Sequence, residues 1–131
     1  MSAVAERVIR ACAGFDLVVT ATFALPFTAR VFVETLYALD RALGGALATP
    51  ELGALGLFFT NLAGILGVLW ALVRLVRPEA WLARADALGR VAVAALIAGS
   101  LHGGALPALL WAFVATELGG AAAQAWVTRG R

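Results

Sequence analysis

Asp16, Asn61, Arg90 and Glu117 are the residues of this sequence best placed to do chemistry, because each interrupts a stretch made largely of alanine, leucine, valine, glycine and phenylalanine. An ionisable side chain in hydrocarbon costs about 2.5–3.5 kcal/mol at a helix centre on insertion scales, so such groups turn inward and pair. Asp86 precedes Arg90 by one helical turn, in the acid-first order that favours an ion pair. Thr20, Thr60 and Thr116 add hydroxyls at nearby levels. Asp16, Asn61, Arg90 and Glu117 are therefore expected to line a polar lane, one from each of four helices, with Asp86, Thr20, Thr60 and Thr116 in support. Such a lane is either a binding cavity or proton-linked site, or a set of interhelical hydrogen bonds that fixes the fold. If no cation stands beside Glu117, it is the residue whose protonation would change with substrate.

Other chemistry has little to work with. Cys12 is the only cysteine and His102 the only histidine, so neither a disulfide, a two-histidine haem site nor a histidine-rich metal site can form within the chain. His102 stands beside Gly103-Gly104, which suggests a turn at the surface. There is no P-loop, no dinucleotide glycine fingerprint and no serine hydrolase elbow. No catalytic residue, metal ligand or cofactor is expected.

The elements that must position the polar residues follow from composition. Of 131 residues, 63% are hydrophobic and only 14% charged, with a mean hydropathy of +0.93. No soluble core of this size could hide so much apolar surface. The chain should live in a bilayer, and nucleic acid is not an expected partner.

Leu52–Val73 is free of charge between Glu51 and Arg74 and is long enough, at 1.5 Å per residue, to cross a hydrocarbon core of ~30 Å. The region from Glu79 to Val127 contains Gly103, Gly104 and Pro107 within a second charge-free run, so it divides into two helices with a tight turn at 102–106. The first span runs from about Val8 to Pro26; Asp16 within it argues against a cleaved signal peptide. Beyond it, Phe32, Leu36, Leu39 and Leu43 recur at helical spacing, opposite Arg30, Glu34 and Arg41. That pattern describes an amphipathic helix in the membrane interface or an extension of the first span.

The fold expected is all-α: an integral membrane four-helix bundle in one domain, with spans at about 8–26, 52–73, 80–101 and 107–127 and an interfacial helix at about 28–43. All ten basic residues are arginine. Arg7, Arg10, Arg74, Arg77, Arg84, Arg129 and Arg131 fall on one side, against Arg30 and Arg41 on the other, so both termini should be cytoplasmic. Trp70, Trp81 and Trp126 read as anchors at that boundary. Gly64 and Gly67, Ala95 and Gly99, and Ala115, Gly119 and Ala123 are small residues at packing intervals.

With its spans and its Asp16, Asn61 and Glu117 placed, the layout resembles the small four-helix membrane proteins of the DoxX-like families of bacteria. That resemblance implies a redox-associated or accessory inner-membrane protein with a partner. The first functional expectation is a non-enzymatic accessory subunit that binds a small ligand or lipid, alone, with a membrane protein partner or as a homo-oligomer. An oligomeric transporter or channel using Glu117 and Asn61 is the second. A membrane enzyme acting on a lipid through Glu117 beside Trp111 is the third, although six residues put those two on different helix faces.

Overall fold

The computed structural model describes residues 1–129, leaving Arg131 of the expected cytoplasmic arginines outside the described part. Among these residues the fold is all-α, with five helices and no strands: α1 (Ala3–Ala24), α2 (Pro26–Ala42), α3 (Ala54–Val76), α4 (Ala80–His102) and α5 (Trp111–Val127). A short 3₁₀ turn, Ala108–Leu110, leads into α5. The helices α3 and Ala108–Val127 are long and apolar enough to cross a membrane, and Ala3–Phe23 with Pro26–Ala42 reaches that standard only when the bent pair is taken together. The protein therefore has two to three helical segments suited to a bilayer by length and composition.

Helix boundaries follow from local chemistry. Pro26 disfavours helical dihedrals at the residue before it, and Leu25 is accordingly extended (φ −118°, ψ 142°). The helix α1 stops there, and Pro26 opens α2 at a position where a missing N–H costs nothing. The two helices meet at 101°. This bend rules out the extension of the first span that the sequence also allowed.

Gly44 and Gly104 adopt left-handed φ values of 99° and 68° that a side chain would resist. Each ends its helix in the same way. Gly44 N–H donates to Arg41 O at 3.1 Å and Gly45 N–H to Asp40 O at 2.8 Å; Gly104 N–H donates to Leu101 O at 3.0 Å and Ala105 N–H to Ser100 O at 3.1 Å.

The helices pack as two pairs, α1 against α3 and α4 against α5, which meet along α1 and α5. Small residues set the first pairing. A Cβ added at Gly64 would strike the backbone of Phe23 and Ala24, and one at Gly67 would come within 2.5 Å of Thr20 Cγ2. Gly99 and Gly119, expected to pack similarly, face open space, and Ala95 and Ala115 are exposed. The helices α4 and α5 instead close on buried Ala83, Ala87, Ala94, Val114 and Ala121.

The face that α2 turns inward is not its leucine face. Leu39 and Leu43 point outward, while Ala29, Tyr37 and Asp40 are buried. Asp40 turns inward because it has a partner there: its Oδ1 accepts from the N–H of Leu109 at 3.3 Å, tying α2 to the turn before α5. The outer surface is apolar, with Phe58, Leu62, Ile65, Leu66 and Leu69 of α3 and Leu88, Val91 and Leu96 of α4 all exposed.

Close backbone approach at Gly64 makes that position intolerant. Gly64→Val should lower unfolding stability by about 1–3 kcal/mol through overpacking against α1. Gly99→Ala should leave it unchanged or slightly raised. Unfolding of both variants in one detergent, followed by helical circular dichroism, distinguishes them, and equal behaviour would mean that α1 and α3 do not meet at Gly64.

Candidate functional site

Two arginines and two aspartates form a closed ring inside the bundle. Arg74 of α3 donates from Nη2 to Asp16 Oδ2 of α1 at 2.6 Å and from Nη1 to Asp86 Oδ2 of α4 at 2.6 Å. Arg90 of α4 donates from Nη2 to the same Asp16 oxygen and from Nε to Asp86 Oδ2 at 2.8 Å, one turn away on its own helix. Its remaining nitrogen, Nη1, reaches Glu117 Oε2 of α5 at 3.1 Å. Four helices thus contribute to one charge cluster.

Neutral donors complete Asp86. Trp70 Nε1 donates to its Oδ1 at 2.7 Å and Gln124 Nε2 to its Oδ2 at 2.7 Å. Asp86 therefore receives four side-chain donors from three helices. Local sequence makes room for them: Gly120 lies against Arg90, where an added Cβ would stand 2.9 Å from Nη1. The Arg74 guanidinium carbon also lies 5.6 Å from the centre of the Trp70 ring, a cation–π distance.

A cavity of about 430 Å³ opens beside the ring. Phe23, Phe32, Val93, Ile97, Leu110 and Phe113 supply apolar wall, and Asp16, Arg74, Asp86, Arg90 and Glu117 form its charged side. Phe32 comes from α2, so that helix closes the cavity as well as covering the bundle end. Its ring meets Phe23 edge-on at 4.7 Å between centroids and Phe113 at 6.4 Å.

Three of the four expected site residues, Asp16, Arg90 and Glu117, converge here, and Asp86 does so with a larger part than support. Glu117 does not lack a cation, since Arg90 is beside it. Asn61 is elsewhere. Its Nδ2 donates to Phe23 O at 2.8 Å, satisfying one of the carbonyls that the end of α1 leaves without a helical partner. Thr20 lines the cavity, but its hydroxyl donates to Asp16 O on its own helix at 2.8 Å. Thr60 and Thr116 likewise donate to Gly56 O and Phe113 O of their own helices, at 2.9 Å each, and do not line the cavity. Trp111 is exposed, packs edge-on against His102 at 5.6 Å, and stands outside the cavity that Glu117 lines.

Arg74 and Trp70 were read from sequence as flank and anchor, and Gln124 was not singled out. Arg74 and Gln124 each carried a usable signal. Gly64, Gly67, Ala71 and Arg74 follow one another at three- and four-residue steps, so Arg74 continues the stripe that packs on α1, and its side chain is only 1% exposed. Gln124 continues the face of Glu117 and Ala121 in the same manner. Among the described residues no group of histidine, cysteine, aspartate and glutamate has a metal-binding arrangement.

Removing the charge at Asp86 would take from four side-chain donors, two of them buried guanidinium groups, the carboxylate they share. Asp86→Asn should cost about 3–5 kcal/mol of stability. Glu117→Gln alters one peripheral bond and keeps an acceptor oxygen, so it should cost no more than about 1.5 kcal/mol. Denaturant unfolding of the two variants provides the comparison; equal losses would displace Asp86 from the centre of the cluster.

No family model, no curated protein and no solved structure matches this chain, so its functional reading rests on the ring and the cavity themselves.

Proposed function

We propose that the protein is a four-span membrane protein of the bacterial inner membrane that binds a small lipid-soluble molecule in its interior without catalysing a reaction. The observation that carries this reading is the joining of an apolar cavity to a charged cluster within a helical bundle. Ionisable groups inside membrane helices mark ligand or ion sites by default, and ligand pockets characteristically combine apolar walls with a few placed polar groups.

Two helices enter this reading beyond those that qualify on apolar length alone. The charges of α4 that would oppose insertion, Asp86 and Arg90, are buried in the ring, and its outer face presents Leu88, Val91 and Leu96. In α1, Asp16 faces the ring while Val4, Phe15 and Val18 face outward. With α1, α3, α4 and α5 as spans, the 101° bend lays α2 along the interface. Met1, Glu6, Arg77 and Arg84 border one pocket and Arg30, Glu34 and Glu51 another. The excess of arginine at the first end supports cytoplasmic termini.

Binding is favoured over conduction because Asn61, half of the transport path expected from sequence, is held by Phe23 O. The DoxX-like layout adds the expectation of a membrane partner or a second copy, for which the ligand-bound chain would be an accessory subunit.

Two measurements test this reading. Native mass spectrometry of protein supplied with total membrane lipid extract should detect a bound small molecule, and Ile97→Trp, which fills the cavity, should lose it. A wild-type chain that stays empty, or a variant that retains the same adduct, overturns the binding site. In a Cys12→Ser background, Ala46→Cys should react with an impermeant maleimide in intact cells while Glu79→Cys reacts only after permeabilisation. The reverse pattern overturns the orientation.

A further inference from the structure

The ring is not electrically balanced. Arg74 and Arg90, which stay protonated in proteins, face Asp16, Asp86 and Glu117, leaving one formal negative charge uncompensated. The excess also has a direction. Asp86 uses both oxygens on internal donors. Asp16 and Glu117 each use only Oδ2 or Oε2, so Asp16 Oδ1 and Glu117 Oε1 accept no hydrogen bond among the described residues. Neither is among the buried orphan atoms, and both side chains are 16% exposed and line the cavity.

The positive groups are turned the other way. Arg90 spends all three nitrogens on carboxylates. Arg74 spends two, and its third, Nε, is buried as well as unpartnered. Each Nη carries a second N–H, yet every guanidinium nitrogen except the buried Arg74 Nε already donates to a carboxylate, so an entering molecule meets unspent carboxylate oxygens and no wholly unpaired guanidinium nitrogen. The same cavity is lined by the rings of Phe23, Phe32 and Phe113, and aromatic faces attract cations.

We propose that the cavity is selective for a hydrophobic cation: a compact apolar body bearing one ammonium group, seated with its charge on Asp16 and Glu117. This assignment rests on the reading of the cavity as a ligand site and adds the sign of the ligand. An anion would meet the same oxygens as repulsion, and a neutral alcohol would satisfy the acceptors but leave the charge excess in place.

Three ligands with one cage and different heads separate these cases: 1-adamantylammonium, 1-adamantanol and adamantane-1-carboxylate. Equilibrium dialysis at pH 7 against protein in nanodiscs of zwitterionic lipid, corrected for empty nanodiscs, should show the ammonium binding at least about tenfold more tightly than the carboxylate. The alcohol should fall between them. Glu117→Gln balances the ring and should bring ammonium and alcohol to within about threefold of each other, while unfolding measurements on the same sample establish that it is folded. Ile97→Trp should weaken all three ligands alike. Equal or tighter binding of the carboxylate overturns the cation assignment and leaves the cavity as a binding site, as does an ammonium preference that survives Glu117→Gln. Binding of none of the three overturns both readings.

Discussion

Two guanidinium groups shared between two aspartates are the interaction on which the rest of this structure depends. In lipid, helices gain little hydrophobic free energy by associating, because the acyl chains around them are as apolar as leucine. Close packing accounts for α1 with α3, where Gly64 and Gly67 let the backbones approach, and for α4 with α5, where alanines do. It does not account for the joining of the two pairs. Arg74 and Asp16 come from the first pair, and Arg90 and Asp86 from the second. Both ion pairs that cross between the pairs, Arg74–Asp86 and Arg90–Asp16, belong to the ring, and Trp70 of α3 adds a neutral hydrogen bond to Asp86 of α4. A buried charge missing its partner is costly enough that neither pair can leave the other without exposing its ions to hydrocarbon.

The cavity follows from that constraint. The ring joins the pairs towards the ends where α3 finishes and α4 starts, and the cavity extends from it towards Phe23, Ile97 and Phe113. The space there is closed by α2, which the Leu25-Pro26 break directs across the bundle. Phe32 fills part of the gap, and Asp40 holds the cover down through Leu109 N–H. Asn61 is a structural residue in this arrangement: it supports the broken end of α1, from which the cover swings.

How much of this could be read from the sequence depended on whether the signal was local. Gly103-Gly104 and Gly44-Gly45 end helices through backbone geometry that few residues can adopt, and the turns fall where those pairs stand. The pairing of Asp86 with Arg90 was legible because it is a one-turn relation on one helix. The convergence of Asp16 and Glu117 on Arg90 was legible because charge inside an apolar span has few places to go. Arg74 was misread because an arginine at the edge of an apolar run looks like a flank, and only the small-residue stripe it extends places it inside. Asn61 was misread because depth along a helix says nothing of facing direction. The inward turn of Asp40 was not legible because its partner, the N–H of Leu109, stands far along the chain.

The sequence left open whether the polar residues are glue or site, and the structure separates them by how fully each is spent on its neighbours. Asp86 and Arg74 are sealed, and Asp86 is saturated with donors, as befits groups that hold helices together. Even so, Arg74 Nε and Gln124 Oε1 remain buried without partners, a cost that a network built for stability alone would have been expected to shed. Asp16 and Glu117 stand at the cavity edge with an oxygen each unspent. A pure fastening would need only as many carboxylates as arginines. The third carboxylate adds little to the fastening, since it reaches one guanidinium nitrogen at the longest distance in the cluster. On the proposed reading its consequence is instead to leave the cavity wall negative, which is the property a binding site can use and a fastening cannot.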